Sequence, residues 1–99
     1  MPNMAYSIVY KSYAEKDIWE IADYLSEHSM SAAIDFLTEV KKHIEGLVDM
    51  PLMYPKINQH KDYRKMVVGD YVVVYIVTER EILIVRVVSG KRNYREELR

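Results

Sequence analysis

The fold the sequence predicts is a two-layer α+β domain, a helical hairpin packed on a largely antiparallel sheet. Three observations predict it. A short alternating strand is followed by two segments with apolar residues at helical spacing. Three short apolar strands with tight turns between them then fill most of the last third of the chain, Asp62 to Arg99. Finally, 99 residues, of which 49% are apolar, suffice for one core between two layers. The expected order is β-α-α-β-β-β, within a single domain spanning residues 1–99.

The first element is Tyr6 to Tyr10, where Tyr6, Ile8 and Tyr10 share one face. Ser12 and Glu15 have capping-box spacing. Ile18, Ile21, Ala22 and Leu25 then recur as one helical stripe, which predicts a helix over about Tyr13 to Glu27. Glu20, Asp23 and Glu27 fall on another face. His28-Ser29-Met30-Ser31 breaks the pattern, with Ser31 placed to cap the next helix. Ala33, Phe36, Leu37, Val40, Ile44 and Leu47 make the second stripe, over about Ala32 to Val48. So short a link makes the two helices antiparallel neighbours. Pro51 and Pro55 prevent continuation, and Pro51 to Lys61 is expected as a loop.

Tyr63 to Val68 is the second strand. Gly69-Asp70 is a two-residue hairpin signal of the Gly-X kind. Tyr71 to Val77 follows, then a polar turn at Thr78 to Glu81, then Ile82 to Val88. The last two strands are nearly continuous in Val, Ile and Leu, which predicts central strands covered on at least one side. Tyr6, Tyr10, Tyr63, Tyr71 and Tyr75 are expected half-buried with their hydroxyls at the surface. Trp19 flanks the first helical stripe as a core-edge residue, with an interface anchor as the alternative.

Composition excludes several functions. The chain has no cysteine, so disulfides, zinc-thiolate sites and thiol nucleophiles are out, in keeping with a reducing, cytoplasmic compartment. The longest apolar run, Tyr71 to Val77, is far short of the ~20 residues a membrane helix needs, and no signal peptide is visible. Phosphate loops, nucleophile elbows and zinc-protease motifs are missing. His28, His43 and His60 are scattered, so no metal site and no cofactor is expected. Net charge is −1, but residues 1–49 carry −5 and residues 50–99 carry +4. That polarity fits either solvated faces or a basic face aimed at an anionic partner.

Chemistry therefore falls to cations and tyrosines near strand ends. Arg64 and Lys65 open the second strand and alternation puts them on opposite faces. Arg86 interrupts an apolar strand, as on the solvent face of a sheet covered on one side. Lys91, Arg92 and Arg95 crowd around Tyr94 just past Gly90. Arginine can grip a phosphate through two parallel hydrogen bonds, and tyrosine can stack on a base or donate its hydroxyl.

With the element order, Pro51 and Pro55 after the second helix, YRKMVVGDYVVVYIV and ILIVRVVSGKRNY, nearly the whole chain resembles the RelE/ParE superfamily of type II toxins. The resemblance implies a cognate antitoxin and one of two targets. RelE-like members cut messenger RNA on the ribosome, where the 2′-hydroxyl attacks the adjacent phosphodiester. ParE-like members poison DNA gyrase. If the chain were a ribonuclease, the resemblance gives Arg64 and Arg92 catalytic roles, with Tyr94 as a stand-in tyrosine. Lys65, Arg86, Lys91 and Arg95 are the further binding candidates. Two cations of the nuclease pattern are missing, since their positions hold Met66 and Val72. The pattern's tyrosine falls near Leu98. Loss of two cations from a phosphodiester site weakens transition-state stabilisation by several kcal/mol. The expectation is a ParE-like gyrase poison, with a RelE-like nuclease and an inactive antitoxin-binding module as alternatives.

Overall fold

A computed structural model describes residues 6–58 and 62–91. The strands and helices follow the predicted order: β1 Ser7–Tyr10, α1 Ser12–Ser26, α2 Met30–Gly46, β2 Arg64–Val68, β3 Tyr71–Val77 and β4 Glu81–Ser89. The four strands form one sheet in the order β1-β4-β3-β2. β1 runs parallel to β4, and the other two pairings are antiparallel. Thus β3 and β4, the most apolar strands, are central, as expected.

α1 and α2 pack on each other and on one face of this sheet. The main core joins Ala14 and Ala22 of α1 and Phe36, Val40 and Ile44 of α2 to Met66, Val73, Tyr75, Ile82, Ile84 and Val87 of the sheet. Ile8 and Tyr10 of β1, with Tyr6 just before it, pack against this core, so the alternation read there is correct. The other sheet face carries a smaller cluster, Val72, Val74 and Val88, which packs with Ile57 and the partly buried Tyr63 and Val85.

Local chemistry sets the junctions. Gly69 turns the β2–β3 hairpin at φ 59°, with no non-glycine residue among the described residues at positive φ, as a turn with glycine at its first central position requires. Both helix starts differ from expectation. The Ser12–Glu15 capping box does not form, because α1 begins at Ser12 and its cap is Lys11, which makes no side-chain cap bond. The Lys11 N–H donates instead to Ile84 O at 2.9 Å, so the sheet fixes where the helix starts. Ser29, not Ser31, caps α2, its Oγ accepting from Ala32 N–H at 3.2 Å. α2 ends at Gly46, before the stretch holding both prolines.

The outer edge of β2 is covered by the loop before it. Ile57 N–H donates to Tyr63 O at 2.8 Å and Lys65 N–H donates to Pro55 O at 3.1 Å. Such cover protects an edge strand from pairing with another chain.

Candidate functional site

β4 runs past its neighbour: β1 pairing ends at Tyr10 opposite Ile84, leaving the following residues of β4 with a bare edge on that side. One extra residue in β4 breaks the ladder there, since Val74 pairs with Arg86 but Tyr75 pairs with Ile84. Such a bulge re-aims the side chains beside it. Asp17, one turn into α1, closes this edge. Its Oδ2 accepts from Val87 N–H at 2.9 Å and from Arg86 Nε at 2.7 Å, while Oδ1 accepts from Arg86 Nη2 at 3.0 Å. The pair is largely shielded, with side chains 22% (Arg86) and 13% (Asp17) exposed. Tyr13 adds its ring face 5.9 Å from the guanidinium carbon. Arg86 is thus not a solvent-face residue. It lies at an edge that β1 leaves uncovered and is held by a carboxylate from the helix layer.

Arg64 is engaged too. Its Nη1 donates to Tyr54 O at 2.6 Å and to Leu52 O at 3.3 Å. Across the strands it pairs with Tyr75, whose hydroxyl donates to Pro51 O at 2.9 Å. Tyr75 is fully buried, contrary to the expectation of a surface hydroxyl. Desolvation pushes its phenol up to about 12, against the lowering effect of the nearby Arg64 charge. Arg64 and Tyr75 together anchor three carbonyls of the loop that follows α2. Held on that loop, Leu52 and Met53 project into solvent.

The remaining candidates are spread out. Lys65 pairs in register with Val74, next to Arg64 but on the alternate face of β2. Lys91 lies beyond the far end of β4, its N–H donating to Ser89 Oγ at 3.2 Å. It lines a groove with Glu20, Tyr24, Asp70 and Tyr71. Arg92, Tyr94 and Arg95 lie outside the described residues, as do His60 and Leu98. Among the described residues the site candidates are therefore not gathered: Arg64 and Lys91 belong to opposite ends of the sheet, and Arg86 is paired between them. The two positions at which the nuclease pattern has a cation are built into packing, Met66 being 1% exposed in the main core and Val72 4% exposed in the smaller one.

Sequence reasoning missed Asp17 and the anchoring role of Tyr75. A signal existed for the first. An arginine within an apolar strand needs a partner when buried, and an acidic residue bordering an apolar helix stripe is a ready one. Trp19, read as core-edge, is 62% exposed. His43 Nδ1 lies 2.8 Å from Glu39 O, and His28 meets Tyr24 edge-on. Among the described residues no group of three or more His, Asp or Glu is placed to hold a metal ion. Nor is any helix there long and apolar enough to cross a membrane.

The fold has solved counterparts. The chromosomal ParDE toxin–antitoxin system of P. aeruginosa contains a chain that superposes with a TM-score of 0.74 at 15% identity, over 88% of this chain and 98% of that one. A mutant of the E. coli toxin RelE in the free state gives 0.64 at 15% identity, over 94% and 92%. The toxin–antitoxin complex RelBE2 of Mycobacterium tuberculosis gives 0.57 at 16% identity, over 86% and 98%. No curated protein sequence matches this one. The family model described as the ParE toxin of the type II toxin–antitoxin system parDE matches residues 8–94. A match over so much of the chain shows that it belongs to the ParE toxin family of type II toxin–antitoxin systems.

Proposed function

We propose that this toxin poisons DNA gyrase and is neutralised by a cognate antitoxin. The observation that carries the choice of target is the burial of Met66 and Val72, at positions where a nuclease would present cations. A third candidate cation, Arg64, is tethered by its Nη1 to two loop carbonyls. Two cations of the nuclease pattern are thus replaced by packed apolar side chains and a third is engaged elsewhere, and preorganised charge is the main catalytic resource of such a site. Poisoning a protein target needs no such constellation.

The surface that acts on the target is, in this reading, the basic C-terminal element with Arg92, Tyr94 and Arg95, joined by Lys91. It follows directly on β4, whose position Asp17 and Arg86 fix. Acidic antitoxin side chains meeting that element and Lys65 would cover it and speed association by opposite charge. The site of action is the cytoplasm, where gyrase works.

Expression in bacterial cells without a partner tests the reading. Growth should arrest with DNA breaks trapped on gyrase and translated messages left intact. Arrest with messages cut at codons would replace gyrase by the ribosome as target. Normal growth at good soluble expression would leave an inactive module that binds an antitoxin.

A further inference from the structure

The groove between α2 and the tip of the β2–β3 hairpin is an apolar trough with an acid rim. It encloses about 500 Å³. Leu25, Phe36, Val40 and Val68 supply apolar lining. Asp35 and Glu39, one helical turn apart on α2, border it on one side, and Asp70 of the hairpin turn borders it on the other. No lysine or arginine lines it among the described residues. None of the three carboxylates enters an ion pair among those residues either. Tyr71, set edge-on against Phe36 at 4.9 Å between ring centres, adds an aromatic ring to the same wall. Burial raises the Tyr71 phenol, and Asp70 then Tyr24 raise it further.

We infer that this groove is a second docking surface, fitted to a cationic amphipathic segment of a partner protein: apolar side chains in the trough, arginines or lysines against Asp35, Glu39 and Asp70. Charge complementarity selects the occupant. An acidic segment would meet three carboxylates that no lysine or arginine among the described residues lining this groove offsets, Lys91 lying on the neighbouring groove that shares Asp70, and like charges brought together exclude a partner. An arginine can make two parallel hydrogen bonds to a carboxylate and lie over an aromatic face. The inference does not depend on the toxin reading. It assigns the helix layer a partner of opposite charge to the acidic antitoxin segment proposed for the basic C-terminal element.

The test is direct binding, measured on the purified full chain by fluorescence anisotropy. The probe is a labelled amphipathic peptide of leucine and arginine, with its leucine–glutamate counterpart as control. The arginine peptide should saturate, and its affinity should fall as salt rises. The double variant Asp35→Lys, Glu39→Lys should weaken it about tenfold or more, since each exposed pair contributes modestly and reversal adds repulsion. Ala32→Trp, which fills the trough without changing charge, should weaken it as well. Glu81→Lys, at the far start of β4, should leave it unchanged. Equal binding of the acidic peptide overturns the inference, as does undiminished binding by the Asp35/Glu39 variant or by Ala32→Trp. A wild-type chain that sediments as a dimer, and that the double reversal returns to monomer, also overturns it by making the occupant a second copy.

Discussion

Two arginines at the margins of the same sheet serve opposite kinds of bond. At the edge of β4, Arg86 meets a full charge, the Asp17 carboxylate, in a bidentate pair that also takes up Val87 N–H. At the start of β2, Arg64 meets only dipoles, the carbonyls of Leu52 and Tyr54, and shares the task with the Tyr75 hydroxyl on Pro51. The first site is one coupled unit: remove either charge and the other is left poorly solvated. The second is divided among several contacts: remove one and the loop keeps the rest. The sites should therefore respond differently to mutation, although both were read from the sequence as ligand-binding cations.

The largest effect belongs to the charged site. Asp17→Ala or Arg86→Ala should each destabilise the fold by about 2–3 kcal/mol, somewhat below a fully buried pair because both side chains keep partial exposure. Urea unfolding of the two single variants and the double variant checks this. The double should cost clearly less than the sum, and strict additivity would show that the two residues do not act as a unit.

Next comes Arg64→Ala, at roughly 1.5–2 kcal/mol, the range for charged-donor hydrogen bonds. Arg64→Lys should recover only part of the loss, since an ammonium on a flexible stem lacks the fixed in-plane directions in which Nη1 donates to both carbonyls. Full recovery by lysine would reduce the site to simple charge.

A smaller effect is expected at Tyr75. Tyr75→Phe should cost about 1 kcal/mol at neutral pH through the lost bond to Pro51 O. Its pH dependence is more diagnostic. The folded phenol titrates near 12 and an unfolded one near ~10. The neutral form is thus favoured in the fold, and this contribution is fully present below pH ~10 and lost as pH rises through 12. Wild-type stability should fall across that window relative to Tyr75→Phe. Parallel profiles would mean that the hydroxyl is open to water.

The sequence disclosed the helix layer and the strands because their apolar periodicity is local. Ile18, Ile21 and Leu25, or Phe36, Val40 and Ile44, announce their face within a few turns. Gly69-Asp70 announces its turn in two residues. The anchors were not legible for the opposite reason. Asp17 and Arg86 are brought together across most of the chain, and Tyr75 reaches Pro51 across 24 positions and the whole of β2. No spacing rule links such residues, and an isolated arginine in a strand looks the same whether it faces solvent or a carboxylate. The cluster of Arg92, Tyr94 and Arg95 was visible in the sequence, but its arrangement lies outside the described residues.

The smallest effect on stability should come from that cluster, in contrast to both arginines above. Arg92→Ala with Tyr94→Ala should change unfolding free energy by no more than about 0.5 kcal/mol, as for surface positions, while relieving growth arrest. A double variant that arrests growth as fully as the wild type would move the acting surface elsewhere on the molecule.

The account turns on the protein being a poison of gyrase, with its candidate cations Arg64 and Arg86 committed to the framework. The most direct measurement sets purified chain against purified gyrase and supercoiled plasmid, with a translating ribosome reaction run in parallel. The account predicts loss of supercoiling and accumulation of gyrase-linked broken DNA, with message left whole. Normal supercoiling together with message cut inside the ribosome would contradict it.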